Sequence, residues 1–74
     1  MNTLENILQE TFDGLRISYQ FKDIARCSFL VQHAKDRGYK TDVASDLVAD
    51  EMEIVDRDLI IGINQYLDKS GFFN

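Results

Sequence analysis

The sequence is poor in residues that interrupt helices or cross-link a small fold. Its 74 residues include no proline, four glycines and one cysteine, Cys27. A lone cysteine excludes an internal disulfide and a cysteine cluster for zinc, and it favours a reducing compartment. No apolar run exceeds three residues, which is too short to cross a membrane. Residues 1–10 lack the basic start and apolar run of a secretory signal, so we expect a soluble, cytoplasmic protein without membrane contact.

Residues that carry catalysis are also scarce. His33 is the only histidine, so a histidine-based triad has one candidate base, and Ser28 falls on the opposite side of a predicted helix. Cys27 borders an apolar stripe, which indicates a buried, unreactive thiol rather than a nucleophile. No calcium-loop motif of alternating aspartates followed by glycine is present. We therefore expect a non-enzymatic protein with no catalytic residue, no metal site and no cofactor.

The residues that are present predict one helical domain. Hydrophobic residues make up 45% of the chain and aromatic residues 11%, as in a chain that folds. Apolar positions recur every three or four residues over about 3–12, 15–37 and 41–70, and Asn2 is placed to cap the first helix. The predicted core stripe of the second helix is Ile17, Phe21, Ile24, Ser28, Val31 and Ala34. The pattern also allows a break near Asp50. The fold class is therefore all-α over residues 1–74: a short N-terminal helix followed by a long antiparallel helical hairpin, forming a three-helix bundle.

An α+β fold is the alternative. Leu15, Ile17, Tyr19 and Phe21 alternate as in a strand, and a turn at Lys22-Asp23 would give a β-hairpin at about 15–31. The helical pattern is favoured because Lys-Asp lacks the glycine or asparagine that tight hairpin turns prefer.

The third predicted helix carries two apolar lines, and this pattern favours a homodimer. The main stripe contains Val48, Met52, Val55, Leu59, Ile63 and Tyr66. The second line contains Leu47, Ile54 and Ile61 at heptad spacing, and a first helix of about three turns is too short to cover all of it. We expect a second subunit to cover the remainder. The C-terminal Phe72-Phe73 either joins this oligomer interface or folds back onto the core.

Acidic residues concentrate at the end of the chain. Residues 41–74 hold two cations and eight acids, whereas residues 16–40 hold six cations and two acids. Four acids share one sector of the third predicted helix, and we call them the acidic ladder: Asp42, Asp46, Asp50 and Glu53. Carboxylates four residues apart repel each other and destabilise a helix, which favours a cationic partner. Their rise of about 6 Å per rung resembles the phosphate spacing of a nucleic-acid strand, so mimicry of nucleic acid is one hypothesis. A solvated face that only aids solubility is the other.

The second predicted helix carries a rival face that mixes cations with flat side chains. Its residues are Tyr19, Lys22, Arg26, Phe29, His33 and Arg37. Cations neutralise phosphates and aromatic rings stack on bases, so this face suits a nucleotide or an oligonucleotide. Alternatively, helix one or a second subunit buries the rings while the acidic segment neutralises the cations. Duplex DNA binding is not expected, because the chain has a net charge of −5 and lacks a basic excess.

Two functions follow from these faces. The first is a protein-binding modulator or inhibitor that uses the acidic ladder against another protein, including one that itself binds nucleic acid. Such small acidic proteins suit the accessory role of phage or mobile-element products. The alternative is a small oligomer that sequesters a nucleotide or oligonucleotide on the face of the second helix.

Overall fold

The computed structural model describes residues 3–74 and contains helices and no strand over that range. The four helices are α1 (Leu4–Leu15), α2 (Phe21–Asp36), α3 (Thr41–Glu51) and α4 (Arg57–Ser70). The expected all-α class is confirmed. The hairpin alternative is wrong, because residues 21–31 form continuous helix. No helix within residues 3–74 is long and apolar enough to cross a membrane.

The N-cap of helix α1 lies one residue after the predicted cap, and the helix ends later than expected. Thr3 is the N-cap, and its Oγ1 accepts a hydrogen bond from the Asn6 backbone N–H at 3.2 Å. The predicted cap Asn2 lies outside the described residues. The helix continues through Gly14, where we expected it to stop, and ends at Arg16 in the left-handed conformation with φ +58°. Gly14 stays helical because its missing side chain makes room for the hydroxyl of Tyr66 on α4.

Helix α2 is shorter than the predicted 15–37. Residues 17–20 are a linker without regular secondary structure, and the helix starts after the extended Gln20, whose backbone N–H donates to the Asp23 carboxylate at 2.8 Å. Such reciprocal capping fixes a helix start. The predicted end is confirmed: Gly38 adopts φ +82°, and Tyr39 N donates to Ala34 O at 2.9 Å. The later start matters because Phe21 then lies in the first turn of α2.

The predicted third helix is wrong as a single element, because it divides into α3 and α4. The break covers residues 52–56, beyond the allowed point at Asp50. Glu53 adopts φ +56°, and Asp56 caps α4 by accepting from Asp58 N at 2.9 Å. The break lets α4 pack against α3 and bury Ile63 and Leu67 completely. Burying two such side chains gives roughly 3 to 6 kcal/mol, which outweighs the backbone hydrogen bonds lost at the break.

The helices form a ring in which each packs against two neighbours. Helix α1 packs against α2 and α4, and α3 packs against the same two helices. The chain is compact, with extents of 26 × 25 × 19 Å. The buried core contains Ile7, Leu8, Phe12, Ile24, Cys27, Val31, Ala34, Ala44, Val48, Ile63 and Leu67. Every helix therefore keeps one side toward solvent.

The C-terminal phenylalanines fold back onto the same chain. Phe72 and Phe73 are half-buried and pack against the core, with their rings edge to face at 5.5 Å. Lys35 Nζ donates to the Phe72 carbonyl oxygen and lies 4.4 Å from the centre of the Phe72 ring. Of the two predicted alternatives for Phe72-Phe73, an oligomer interface or a return onto the core, the structure shows the return onto the core.

The second apolar line no longer follows one helix. Leu47 and Ile54 are half-buried and pack against the core of their own chain. Ile61 on α4 is 50% exposed, and Val55, expected in the core stripe, is 94% exposed in the linker. The reasoning that required a second subunit over Leu47, Ile54 and Ile61 was therefore wrong, since it depended on one long helix. Homodimer formation itself stays a prediction.

Candidate interaction surfaces

The outward side of α2 carries eight exposed residues in one sector of the helix. They arise because α1 and α3 flank α2 and leave its outer side open. At about 100° per residue these positions span roughly 140° of the helix circumference. Two of them, Gln32 and Asp36, bond to each other, with Gln32 Nε2 donating to Asp36 Oδ1 at 2.8 Å. We call the other six the α2 surface: Phe21, Lys22, Ala25, Arg26, Phe29 and His33.

Two phenylalanines stand out on the α2 surface. Phe21 is 74% exposed and Phe29 is 70% exposed. Ala25 lies one turn from each, so the two aromatic positions are about 12 Å apart along the helix axis. The Phe29 ring stacks on His33, with centroids 5.9 Å apart and planes 11° apart. Ala25 lies between the two aromatic positions and has a small side chain, and we call the gap above it the notch.

Cations lie along one edge of this notch. Arg26 Nη1 is 3.6 Å from the Glu51 carboxylate on α3, and the Arg26 side chain remains 62% exposed. An exposed pair of this kind contributes at most about 1 kcal/mol, and at 3.6 Å it leaves the guanidinium N–H donors available to a partner. No other ion pair occurs within residues 3–74, so no described carboxylate lies within 4.0 Å of the Lys22 ammonium group. The α2 surface thus combines an apolar notch with two permanent cations.

The structure brings together only part of the predicted face of the second helix. Lys22, Arg26, Phe29 and His33 do share the α2 surface. Tyr19 belongs to the linker before α2, and its ring packs on Phe12 at a centroid distance of 5.5 Å. Burial and the hydrogen bond to Asp13 raise the pKa of the Tyr19 hydroxyl. Tyr19 is therefore not part of the same surface. Arg37 lies at the C-cap of α2, one turn beyond His33, and its backbone N–H donates to His33 O at 3.1 Å.

The acidic ladder is also only partly a helix face. Asp42, Asp46 and Asp50 are exposed on α3, whereas the exposed Glu53 lies in the linker. Asp42 accepts a hydrogen bond from Val43 N at 2.9 Å, as an acid near a helix N-terminus does. Within residues 3–74, no cation lies within 4.0 Å of any ladder carboxylate. The ladder therefore offers three regular rungs of negative charge that the rest of the described chain does not neutralise.

The candidate nucleophiles are buried, whereas the candidate base is exposed. Cys27 has no exposed surface, and burial, followed by the charges of Glu51 and Asp23, raises the pKa of its thiol to about 12. A thiol in that state carries almost no thiolate at neutral pH. His33 is exposed and stacked on Phe29. Ser28 Oγ is buried and has no hydrogen-bond partner in the described chain. These three groups form no catalytic arrangement.

A surface depression lies elsewhere, between α1 and α4. Its volume is about 250 Å³, and it is lined by Ile7, Glu10, Tyr66, Lys69 and Ser70. Neither Cys27 nor His33 reaches it. Within residues 3–74, no three histidine, cysteine, aspartate or glutamate side chains are grouped as metal ligands.

Sequence reasoning missed Phe21 and Ala25. The predicted core stripe ran Ile17, Phe21, Ile24, Ser28, and this placed Phe21 inside. Once residues 17–20 are not helical, Phe21 opens the helix and no preceding turn covers it. The capping residues Gln20 and Asp23 were the pattern from which this start was predictable.

The α2 surface and the acidic ladder are the two chemically distinctive exposed features of α2 and α3. Comparison of this chain with protein families, with curated proteins and with solved structures finds no match.

Proposed function

We propose that this chain is a non-enzymatic protein-binding module that modulates another protein, and that the α2 surface is its primary contact. The observation that carries the proposal is the exposure of Phe21 and Phe29, at 74% and 70%. Full burial of a phenylalanine side chain gives about 1.5 to 3 kcal/mol. A partner that covers both rings therefore gains roughly 2 to 4 kcal/mol from them, before the costs of association.

The chemistry of the α2 surface favours an acidic amphipathic helix as partner. An apolar side chain of such a helix fits the notch at Ala25, and carboxylates one turn away reach Lys22 and Arg26. Nucleic acid is disfavoured because the chain carries a net charge of −5, which repels phosphates at long range. Two permanent cations on the surface are too few to reverse that repulsion.

The acidic ladder is the second candidate surface. The observation that favours it is the lack of a neutralising cation at Asp42, Asp46 and Asp50 within residues 3–74. Its partner would present a cationic groove, as a nucleic-acid-binding protein does, and inhibition would follow from occupying that groove. In this arrangement the α2 surface contributes nothing to affinity, which separates the two candidates experimentally.

A selection experiment tests the primary proposal without knowledge of the native partner. The folded protein is immobilised, and a displayed library of amphipathic helices with randomised polar positions is selected against it. We expect enrichment of sequences with an apolar residue next to glutamates or aspartates one turn apart. Calorimetry with a selected peptide should then show binding that weakens as salt rises.

Matched variants identify the surface. Phe21→Ala/Phe29→Ala should lower affinity for the selected peptide at least tenfold, whereas Tyr39→Ala, which removes a 50% exposed ring elsewhere, should not. Unchanged affinity in the double variant would refute the α2 surface as the contact. If cationic peptides are selected instead, and Asp46→Asn/Asp50→Asn loses their binding while Phe21→Ala/Phe29→Ala keeps it, the result would support the acidic ladder as the contact. Tighter binding of single-stranded oligonucleotides than of any peptide would support the nucleotide alternative.

A further inference from the structure

Three exposed residues lie at heptad spacing on the outward side of α2: Lys22, Phe29 and Asp36. Seven residues are close to two helical turns, so successive members differ by only about 20° around the helix and lie about 10 Å apart along it. We call this set the heptad line. It has a cation at one end, an acid at the other and a 70% exposed phenylalanine at the midpoint.

The two charged ends of the heptad line have no ionic partner in the described chain. Within residues 3–74, no carboxylate lies within 4.0 Å of the Lys22 ammonium group, and no cation lies within 4.0 Å of the Asp36 carboxylate. Asp36 accepts a hydrogen bond from Gln32 Nε2 at 2.8 Å, which leaves its second oxygen free. Fourteen residues of helix separate Lys22 from Asp36 by about 21 Å, so these two groups of one copy cannot pair with each other.

We infer that two copies of this chain associate through α2, with the two helices antiparallel and Phe29 of one copy against Phe29 of the other. This inference rests on the proposed role of the α2 surface as a protein-binding face. A two-fold axis through the midpoint of the heptad line reverses the second helix, so Lys22 of each copy lies opposite Asp36 of the other. The same operation forms both ion pairs and closes the assembly at a dimer.

Charge selects the antiparallel arrangement over the parallel one. In a parallel pair, Lys22 would meet Lys22 and Asp36 would meet Asp36, and like charges in contact repel. In the antiparallel pair both contacts are attractive. The two Arg26 side chains then start about 9 Å apart along the axis, because Arg26 precedes Phe29 by three residues. A crossing angle of about 20°, common for paired helices, follows the slow drift of the heptad line.

The residues around the midpoint allow the two helices to approach closely. Under the same two-fold axis, Ala25 of one copy lies beside Gln32 of the other, because the two positions are nearly equidistant from Phe29 on opposite sides. The small Ala25 leaves room for the longer side chain. The Phe29 ring already stacks on His33 at a centroid distance of 5.9 Å, so less side-chain freedom is lost when a second copy covers it.

The size of the contact predicts a weak, reversible dimer. Helix α2 has 16 residues, and it is about 24 Å long and about 12 Å wide. One copy thus offers roughly 300 Å², and the pair buries roughly 600 Å², in the range of transient contacts. We expect a dissociation constant between about 100 µM and about 1 mM. An outside acidic partner places its own carboxylate at Lys22 and so displaces the Asp36 of the second copy.

A charge-exchange experiment tests the pairing by NMR between about 20 µM and about 2 mM protein. Wild-type amide shifts in α2 should change with concentration, and isotope-filtered spectra of mixed labelled and unlabelled protein should connect the Phe29 rings of two copies. Lys22→Glu gives a heptad line with two acidic ends, and Asp36→Lys gives one with two basic ends. Each single variant should dimerise at least tenfold more weakly than the wild type.

Two combinations should restore the dimer. An equimolar mixture of the single variants should associate, because a line with two acidic ends then meets a line with two basic ends. The double variant Lys22→Glu/Asp36→Lys should dimerise alone, within about threefold of the wild type, because both ion pairs are reversed.

The chain offers matched controls. An acid in the first turn and a base in the last turn both suit the helix dipole, so the charge variants should fold, and circular dichroism with urea unfolding checks this. Phe29→Ala should weaken dimerisation at least tenfold. Ile61→Glu changes α4, which lies across the ring from α2, and should leave dimerisation unchanged.

The outcomes separate the inference from the proposed function. A wild-type protein that stays monomeric up to about 2 mM overturns the dimer, while peptide selection on the monomer still decides the proposed function. A dimer that neither combination restores, or that Ile61→Glu disrupts, overturns the antiparallel α2 pairing. A restored dimer together with no selected peptide supports the pairing and refutes an outside helical partner.

Discussion

Replacing Phe29 by alanine should leave the isolated chain almost as stable as the wild type. Phe29 is 70% exposed, so less than a third of its surface is buried. Full burial of phenylalanine gives about 1.5 to 3 kcal/mol, and the buried share therefore contributes at most about 1 kcal/mol. Alanine also has a higher helix propensity by about 0.5 kcal/mol. We expect a net loss of no more than about 0.5 kcal/mol in the free energy of unfolding.

The matched substitution at Phe12 should behave differently. Phe12 has no exposed surface and lies in the core of the helical ring, so Phe12→Ala should cost about 3 to 5 kcal/mol. A domain of this length has a total stability of roughly 4 to 11 kcal/mol, and Phe12→Leu provides a milder comparison if Phe12→Ala does not fold. The contrast between two phenylalanines measures directly which of them the fold needs.

Urea denaturation followed by circular dichroism measures both effects, and a peptide selected against the protein adds the functional readout. At a free peptide concentration ten times its dissociation constant, binding stabilises the folded state by about 1.4 kcal/mol. The wild type should gain this stability when the peptide is added, and Phe29→Ala should gain clearly less. A loss above about 2 kcal/mol without peptide would refute the exposed position of Phe29. An equal response of both proteins to the peptide would refute its place in the contact.

Three further substitutions test the interior. The folded-state pKa of Cys27, about 12, lies above the ordinary value of 9.0, so the unfolded thiol ionises first and stability falls as pH rises above 9. Between pH 8 and pH 10.5 wild type should lose about 2 kcal/mol more than Cys27→Ala, and equal losses in urea titrations would refute the buried thiol. Ser28→Ala should raise the free energy of unfolding by about 1 kcal/mol, because it removes a buried hydroxyl without a partner and favours helix; destabilisation in thermal melts would contradict this. Gly62→Ala should be destabilising by about 1 kcal/mol, since its Cβ would lie 2.6 Å from Leu15 Cδ2. In a double-mutant cycle, Leu15→Ala should relieve that cost, and strict additivity would exclude the contact.

The helices themselves were predictable because their apolar positions recur at the helical period. Val31 and Ala34 on α2, and Ile63 on α4, follow the predicted stripes and are fully buried. The break between α3 and α4 was not predictable to the residue, because it contains neither glycine nor proline. Glu53 adopts a left-handed conformation there that its residue type does not favour. The break forms because it allows α4 to be buried against the rest of the chain. A local sequence pattern does not reveal such long-range packing.

The candidate surfaces were predictable only where they stay within one helix. Lys22, Arg26 and His33 were correctly grouped because they share α2. Tyr19 was assigned to the wrong surface because it lies in the linker before α2, where the helical period does not determine which way a side chain points. Glu53 was misplaced for the same reason, since α3 ends before it. An error of a few residues in a predicted helix boundary therefore changes the predicted position of surface residues more than that of core residues.

Helix α2 separates stability from recognition on its two sides. Its inner side buries Ile24, Cys27 and Val31 completely, and these contacts hold whether or not Phe29 is covered. The chain thus has a closed core of its own, and association is not required to complete it. A contact at the α2 surface is therefore added to a self-sufficient fold, and we expect it to be reversible rather than obligate. Reversibility suits the proposed function, because the α2 surface must be released from one partner before it binds another.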